Sequence, residues 1–406
     1  MKASLSTARR RRVVSSSPPR SSFILSSVKL SAVAATSVER AEGAGKFRPS
    51  SSIAGDAWHG EAPTPAYEWW YFDALSQDGR DALVVIFLTN FIFSPRYNRA
   101  AAESFNGALP PQTAARFPAV AVFFYRDGRP LFRAINEYTL ADFQASATRP
   151  ECRIGRNTFR LVEDGAEPLY ELRIDTALRR RKLLQAKLSW AVKEGDFFKD
   201  EKASASDSAA HQWNMVAPRC DVSGEVTLSE RDGARSFEQD FHGTGYHDHN
   251  RDTRWMPATI AEWQWGRIHF PETTAVFYRY RERDETESAT RLYLIQDNSP
   301  VVFAPQVKLA RTRQHHFGPR YPSLLTLHTA AAVNALTLSI RQQRVIDSSF
   351  FYLRFLSEAT LEIEGRARQR ATGITEHLAP RSLSYGWLHW LINMRIGRND
   401  RGAFLP

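Results

Sequence analysis

Cysteine is scarce in this sequence, which has only Cys152 and Cys220 among its 406 residues. The two lie far apart and neither belongs to a CxxC pair, so the sequence offers neither a disulfide framework nor a thiolate zinc site. Long apolar runs are missing too. The longest, residues 82–93, is interrupted by Asn90 and is shorter than the roughly 20 residues that a membrane-spanning helix needs. We therefore expect two buried thiols and a protein body that does not span a membrane.

Acidic residues are absent from the first 38 residues, which carry seven of the lysines and arginines. This segment accounts for most of the net charge of +10 and leaves +3 for the rest of the chain. Because the body has no basic stripe with interleaved aromatic residues, no nucleic-acid partner is expected. Residues 1–46 are rich in Ser, Ala and Arg, which predicts a disordered or targeting-like extension. We expect the protein in the cytoplasm or at the periphery of a membrane. The alternative is that this segment is an export signal.

Asp-Gly pairs recur between apolar or alternating runs, as tight β-turns with positive φ require. The four pairs are Asp78-Gly79, Asp127-Gly128, Asp164-Gly165 and Asp232-Gly233. Many short strand patterns lie between and after them. The sequence therefore predicts an all-β fold of antiparallel barrels or sandwiches.

The length of the chain allows two domains. We place their boundary near residue 245, which gives an N-terminal domain over 58–245 and a C-terminal domain over 246–400. Three polar segments predict loops, at 99–116, 194–210 and 311–322. A helix is expected only near the end of the chain, where apolar residues between 383 and 394 fall on one helical face.

The densest group of chemically versatile side chains runs from His242 to Asn250. Three imidazoles, a carboxylate and a phenol lie within these nine residues, and two glycines would let the backbone turn sharply. A neutral imidazole acts as a base or a ligand near pH 7, and a neighbouring carboxylate orients the ring or moves a proton itself. Such a cluster indicates a functional site.

Three interpretations of this cluster stay open at this point. It is a catalytic site, or it is a hydrogen-bonded network at the domain junction, with Asp248 ionised and paired to an imidazolium or to Arg251 or Arg254. In the third interpretation, His247 and His249 share one side of a strand and bind a metal ion, with His242 or Asp248 as a further ligand. The spacing of known metal motifs is missing, and we expect no metal.

Two aromatic segments are the other candidates. In the strand pattern that begins at Tyr67, Glu68, Trp70 and Phe72 alternate with Trp69, Tyr71 and Asp73. Both faces of this strand are aromatic, so we expect it to be enclosed. Between Glu262 and Arg267 the alternation directs both tryptophans to one side, towards a core or a cavity.

These motifs together resemble the carotenoid 1,2-hydratase family, also called hydroxyneurosporene synthase or CrtC, and its AttH-like relatives. The sequence carries EWWYFDALSQDG, then residues 91–95, then HGTGYHDHN, and finally GITEH at 373–377. The resemblance runs from about Trp58 to Arg398. It implies two lipocalin-like β-domains that meet at an apolar cavity. It also implies a hydratase that adds water to an alkene of an acyclic carotene without a cofactor.

The family's hydratases are associated with a His-x-Trp pair and a Tyr-x-Asp pair. The matching residues are His211 with Trp213, and Tyr246 with Asp248. We expect Asp248, kept neutral by apolar burial, to protonate the alkene. The rings of Trp213 and Tyr246 would stabilise the resulting cation. His211 would accept a proton from the incoming water.

A further set of residues is expected to bind the substrate: Glu68, Trp70, His247, His249, Trp263 and Trp265. The family tends to have an apolar residue between the Tyr and the Asp and a small one after the Asp, whereas this chain has His247 and His249. If those rings face the cavity, the ligand is more polar than a hydrocarbon.

The leading hypothesis is therefore a hydro-lyase that acts on a hydrophobic, isoprenoid-like small molecule. A cyclase or isomerase of a hydrophobic metabolite and a carrier without chemistry are the alternatives. The aromatic stripe near the C terminus, followed by arginines, either packs against the second domain or touches a membrane surface.

Overall fold

The computed structural model describes residues 47–108, 117–163, 165–197, 211–230, 232–316, 318–330, 335–398 and 401–405. The predicted extension over 1–46 lies outside these residues. Within the described ranges, no helix reaches the length and apolarity that a bilayer crossing requires.

The N-terminal part of the chain forms a sheet of thirteen strands, here called the first sheet. Its strands are β1 (Phe47–Ser50), β2 (Tyr67–Ser76), β3 (Asp81–Leu88), β4 (Ala119–Arg126), β5 (Arg129–Glu137), β6 (Phe143–Ala145), β7 (Glu151–Ile154), β8 (Asn157–Val162), β9 (Leu169–Ala177), β10 (Leu183–Glu194), β11 (His211–Ser229), β12 (Arg235–Asp252) and β22 (Gly397–Arg398). The order is β22-β5-β4-β3-β2-β12-β11-β10-β9-β8-β7-β6, with β1 parallel to β11. The sequence order is broken where β12 returns to lie beside β2.

The C-terminal part forms a sheet of nine strands, here called the second sheet. Its strands are β13 (Ile260–His269), β14 (Thr274–Glu282), β15 (Ala289–Gln296), β16 (Ser299–Phe303), β17 (Gln306–Gln314), β18 (Arg320–Thr329), β19 (Leu336–Ser348), β20 (Tyr352–Ile363) and β21 (Gln369–Leu378). The order is β16-β15-β14-β13-β21-β20-β19-β18-β17, and every pair is antiparallel. The all-β prediction is confirmed.

The Asp-Gly pairs lie at hairpin turns as the sequence predicted. Asp127 and Gly128 join β4 to β5 with φ angles of 53° and 71°, which is the positive φ that such a two-residue turn requires. The pairs at 78–79 and 232–233 join β2 to β3 and β11 to β12. Gly165 lies between β8 and β9, and Asp164 is outside the described residues.

In the described part of the chain, α-helices occur at three places, α1 (Pro95–Phe105), α2 (Met256–Thr259) and α3 (His389–Asn393). Helix α3 confirms the predicted C-terminal helix, whereas the expectation that helix occurs only there is wrong. Helix α1 covers the start of the predicted loop over 99–116. Its signal was Ser94-Pro95, because the Ser94 hydroxyl accepts from the Arg96 amide and Pro95 is favoured in a first turn. The predicted loop at 311–322 is also shorter than expected, since β17 ends at Gln314 and β18 begins at Arg320.

Strand β2 is buried on both faces, as its aromatic pattern predicted. Trp69 and Tyr71 belong to a core cluster that also contains residues of the second sheet. Trp70 and Phe72 belong to a different cluster, made within the first sheet alone. The two faces of one strand therefore serve two separate interiors.

A buried ion pair joins the two sheets. The Arg267 guanidinium of β13 donates through Nε to Asp73 Oδ1 of β2 at 2.8 Å, and both side chains are fully buried. The chain passes from the first sheet to the second between Asp252 and Ile260. The division into domains over 58–245 and 246–400 stays a proposal, and this passage lies a few residues beyond its boundary.

Candidate functional site

The cluster predicted from the sequence lies in the middle of β12, not at a turn. Its two glycines are required by close packing against β2 and the adjacent strands. A Cβ atom on Gly243 would lie 2.0 Å from the Leu75 carbonyl oxygen. A Cβ atom on Gly245 would lie 2.5 Å from Trp190 Nε1. The expected sharp bend is therefore wrong, and the glycines allow the neighbouring strands and side chains to approach.

Alternation along β12 divides the cluster between the two interiors. Tyr246 belongs to the core cluster shared by both sheets, and Asp248 borders a cavity beside it. His247 stacks on Phe72, and His249 stacks on Trp70, in the interior of the first sheet. The five residues 246–250 thus supply two different sites, one on each face.

The carboxyl group of Asp248 is held by three neutral donors. Trp213 Nε1 and the Tyr246 hydroxyl donate to Oδ2 at 3.0 and 2.9 Å, and Asn250 Nδ2 donates to Oδ1 at 2.7 Å. No cation is among these partners. Arg251 bonds to Gln212 instead.

Burial dominates the ionisation of Asp248. Removal from water raises its pKa to about 8, although the hydrogen bonds from Trp213 and Tyr246 act in the opposite direction. Nearby Glu376 and Asp73 add to the increase. The group is therefore largely a neutral carboxylic acid at pH 7, as was expected from apolar burial.

A small cavity of about 30 Å³ adjoins Asp248, and we call it the acid pocket. It is lined by Trp69, Tyr71, Asp248, Asn250, Trp263, Trp265, Tyr278 and Glu376. A water molecule needs roughly 10 to 15 Å³ of such space, so the acid pocket has room for one. The pocket thus combines an acid, five aromatic rings and space for a reactant.

A second cavity of about 560 Å³, here called the apolar cavity, adjoins the acid pocket. The two share Trp69, Tyr71, Trp263 and Glu376 as lining residues. Most of the remaining wall is aliphatic or aromatic, with Ile86, Leu88, Phe91, Phe93, Phe123 and Phe351 among its residues. The volume lies in the range of small-molecule sites, which are roughly 300 to 1,000 Å³.

His211 and Trp213, on β11, lie close to Asp248 but border neither cavity. His211 Nε2 is 3.0 Å from the hydroxyl of Tyr278, which does line the acid pocket. Burial lowers the pKa of His211 to about 3, so the ring is neutral. The indole N–H of Trp213 and the hydroxyl of Tyr246 both donate hydrogen bonds to Asp248. Both were expected to offer ring faces to a cation; the structure shows that they donate hydrogen bonds to Asp248 and line neither cavity.

The six residues expected to bind substrate are not brought together. Trp263 and Trp265 line the acid pocket, on the same side of β13 as the alternation predicted. Glu68, Trp70, His247 and His249 lie on the opposite face of the first sheet and line neither cavity. A strand residue adjacent to a cavity-facing one points away from it, so these four do not share a cavity with Asp248. Because His247 and His249 face neither cavity, they give no reason to expect a ligand more polar than a hydrocarbon.

The opposite face carries an ion-paired network of its own. His249 lies between two carboxylates, with Nε2 2.7 Å from Glu68 Oε1 and Nδ1 3.2 Å from Asp56 Oδ1. Asp56 Oδ2 is 3.0 Å from His247 Nε2, and His59 Nδ1 is 2.9 Å from Glu68 Oε1. The network fixes the segment before β2 to the middle of the first sheet.

The charges of this network follow from its contacts. Burial opposes the charged form of His249, but the carboxylates of Asp56 and Glu68 outweigh it and raise its pKa to about 9. Burial likewise opposes ionisation of Glu68, whose hydrogen bonds to His249 and His59 lower its pKa to about 2. The network is therefore charged at neutral pH.

Three described residues, His59, Glu68 and His249, offer ligand atoms within 4.8 Å of one another, as a metal site would require. Metal binding needs a neutral imidazole, whereas His249 is held as an imidazolium. The observed contacts are those of ion pairs. His242, which the sequence also suggested as a ligand, is exposed and elsewhere on β12.

Sequence reasoning missed several residues that line the acid pocket. Trp69 and Tyr71 alternate along β2 with Glu68 and Trp70, the residues that the sequence suggested, and lie on the other face of the strand. Asn250 and Glu376 lie in the motifs GYHDHN and GITEH but were given no role. Glu376 is bonded to Arg354 Nε at 2.9 Å, and that guanidinium lies 5.8 Å from the ring centre of Tyr71. Tyr278 had no signal of its own beyond lying in a predicted strand.

Comparison with known proteins places these observations in a family. Residues 196–404, just over half of the chain, match the family described as carotenoid hydratase CrtC. A hydroxyneurosporene dehydrogenase from Chlorobaculum tepidum is 26% identical, over 84% of this chain and 90% of that protein. An acyclic carotenoid 1,2-hydratase from Rubrivivax gelatinosus is 26% identical, over 74% of this chain and 66% of that protein.

Among solved structures, that of CghA with Sch210972 superposes with a TM-score of 0.51 at 13% identity. The match covers 77% of this chain and 88% of the other. At this identity the likeness concerns the fold alone. It agrees with the predicted two-sheet, lipocalin-like architecture.

Proposed function

The chain belongs to the carotenoid hydratase CrtC family, whose members are hydro-lyases, and from this premise we propose that Asp248 is the acid of an alkene hydration. The substrate is a hydrophobic, isoprenoid-like molecule with an electron-rich alkene. The observation that carries the proposal is a buried, neutral carboxylic acid in an aromatic pocket that adjoins an apolar cavity.

The first step is transfer of the Asp248 proton to one alkene carbon. The π electrons form the new C–H bond, and the other carbon becomes a tertiary cation while Asp248 becomes a carboxylate. Trp213, Tyr246 and Asn250 then donate three hydrogen bonds to that carboxylate, which stabilises it as charge develops. These three residues position the acid and lower the cost of its ionisation.

The cation forms beside ring faces that are present before the reaction. Trp69, Trp263 and Trp265 line the acid pocket, and indole faces attract cations by roughly 0.5 to 2 kcal/mol each. Glu376 lines the same pocket with a carboxylate. The rest of a long apolar substrate occupies the apolar cavity, which shares its wall with the pocket.

Water then attacks the cation, and the oxygen of the adduct must lose a proton. Tyr278 lines the acid pocket and its hydroxyl is bonded to the neutral ring of His211, so His211 is reached through Tyr278. His211 holds a proton weakly because its pKa is about 3, whereas that of Asp248 is about 8. The proton therefore ends on Asp248, and the enzyme is restored. No cofactor takes part in these steps.

The substitution Asp248→Asn tests the proposal, because it keeps the shape of the side chain and removes the acidic proton. We expect hydration of an acyclic carotenoid in detergent micelles to fall by about 100-fold or more, in line with the loss of a general acid. The assay is the rate of product formation, followed by liquid chromatography.

The matched control is Asp252→Asn, which removes a buried carboxylate from the same strand. Asp252 pairs with Arg254 and lines neither cavity. A folded Asp252→Asn protein should keep its rate. A folded Asp248→Asn protein that hydrates at the parent rate would show that another group supplies the proton.

A further inference from the structure

Large exposed apolar side chains are concentrated near the C terminus. Tyr385, Trp387, Trp390 and Phe404 have 42%, 69%, 58% and 70% of their surface exposed, which is half of such residues in the described part of the chain. The amide of Leu405 donates to the Met394 carbonyl at 2.7 Å, so Phe404 lies next to the end of α3. We call these four residues the aromatic patch.

A fifth exposed ring extends the patch from another element. Phe105, at the end of α1, is 59% exposed, and α1 packs against α3. An apolar surface of this composition is uncommon on a protein that is surrounded by water alone. Trp and Tyr are instead the residues enriched at the boundary between lipid and water.

Positive charge surrounds the aromatic patch. Arg381 and Arg401 are exposed on the same terminal segment, and Arg99 is exposed on α1. Residues 379–405 contain four arginines and one acidic residue. The pKa of Arg283 is lowered by burial and by the nearby Arg381, which shows that cations gather here. Such a surface complements anionic lipid headgroups.

The patch lies on the outside of the wall of the apolar cavity. In the single turn of α3, Trp390 is exposed while its neighbours Leu391 and Ile392 line the cavity. Likewise Phe404 is exposed and Leu405 lines the cavity. One short segment therefore faces the surroundings on one side and the cavity on the other.

We propose that the aromatic patch docks on the surface of an anionic membrane. The aromatic rings enter the headgroup region and the arginines contact lipid phosphates. Docking places the wall of the apolar cavity against the bilayer, from which a lipid-soluble substrate enters. The docking does not depend on the reaction, whereas the entry of substrate rests on the function proposed above.

Co-sedimentation of the full chain with vesicles tests the docking in the absence of substrate. The vesicles are pure phosphatidylcholine or phosphatidylcholine with phosphatidylglycerol. We expect binding to the vesicles with phosphatidylglycerol, and an affinity lower by at least about tenfold in the double variant Trp387→Ser/Trp390→Ser, because two indoles that enter the headgroup region are lost. The matched control is Leu131→Ser/Leu140→Ser, which removes two apolar residues exposed to 48% and 47%, one on β5 and one in the turn between β5 and β6. The control should bind as the parent does.

Three results would overturn the proposal. The parent protein fails to sediment with anionic vesicles at low salt, or the tryptophan variant binds as tightly as the parent. In the third result, the parent protein is a dimer, the tryptophan variant is a monomer, and neither protein binds vesicles. A second copy of the chain would then cover the aromatic patch. Hydration of a detergent-solubilised substrate is measured separately and fails only if the function proposed above is wrong.

Discussion

The carboxyl group of Asp248 accepts hydrogen bonds from three neutral groups, which all favour its ionised form, and its pKa is nevertheless raised by burial. A residue selected for stability alone would be paired with a cation, as Asp252 is with Arg254. From the sequence alone, an ion pair between Asp248 and a neighbouring cation was one possible interpretation of the cluster. The observed contacts favour an acid over a structural ion pair.

The activity should depend on pH through Asp248. The acid must be protonated to react, and its pKa is about 8, so kcat/KM should be level below that pH and fall as the pH rises through it. In Tyr246→Phe the carboxylate loses one donor, which raises the pKa further and moves the fall to higher pH. The measurement is the pH–rate profile of both proteins. A decline at the same pH in both, or none up to pH 10, contradicts the role of Asp248.

At the residue scale the sequence singled out Asp248 as a candidate acid, which stays a proposal, but it did not reveal the residues around Asp248. Tyr246 and Asp248 are two residues apart in a strand, and period-two alternation places them on one face. His211 and Trp213 follow the same rule on the neighbouring strand. The partners of the opposite face, Asp56 among them, lie nearly two hundred residues from the histidines they bind, and no local pattern relates such positions.

At the scale of elements, β12 is the strand on which both sites depend. It pairs with β2 on one side and β11 on the other, which brings the motifs HGTGYHDHN and EWWYFDA into register, with Asp248 opposite Tyr71. Strands and hairpins were predictable because turn residues and apolar runs are local. The face of β2 that lines the acid pocket was not predictable, since β2 is buried on both sides and offers no polar face to distinguish them.

The network of the opposite face should be a stability element. In His249→Gln the imidazolium between Asp56 and Glu68 is lost, and two buried carboxylates are left without it. We expect the free energy of unfolding at pH 6 to fall by about 3 to 5 kcal/mol, as for other broken buried pairs. Urea unfolding measures it, and the exposed His328→Gln is the control, with little change expected.

The pH dependence of this loss has a definite sign. The pKa of His249 is raised to about 9, so its contribution is complete below about pH 6.5 and is lost as the pH rises through 9. The pKa values of Asp56 and Glu68 are lowered to about 2. The contribution of these carboxylates to the free energy of unfolding is therefore present above about pH 4 and is lost as the pH falls towards 2. The difference between parent and variant should be largest between these limits. An equal difference at all pH values would contradict the ion-paired network.

At the scale of the whole molecule, two sheets enclose the apolar cavity, with the buried Asp73–Arg267 pair at their junction. Neither sheet forms the acid pocket alone, because Asp248 and Tyr71 come from the first and Trp263, Tyr278 and Glu376 from the second. The length and the turn pattern predicted the architecture. The packing of the two sheets determines which residues line the acid pocket. It could not be predicted, because it depends on contacts between distant parts of the chain.

The central claim is that the protein adds water to an alkene through Asp248. Its most direct test is to incubate the purified protein and an acyclic carotenoid in water labelled with oxygen-18 and to weigh the product by mass spectrometry. We expect a product heavier than the substrate by one molecule of labelled water, formed by the parent and not by Asp248→Asn. A product of unchanged mass would identify a cyclase or isomerase and contradict the proposed hydration.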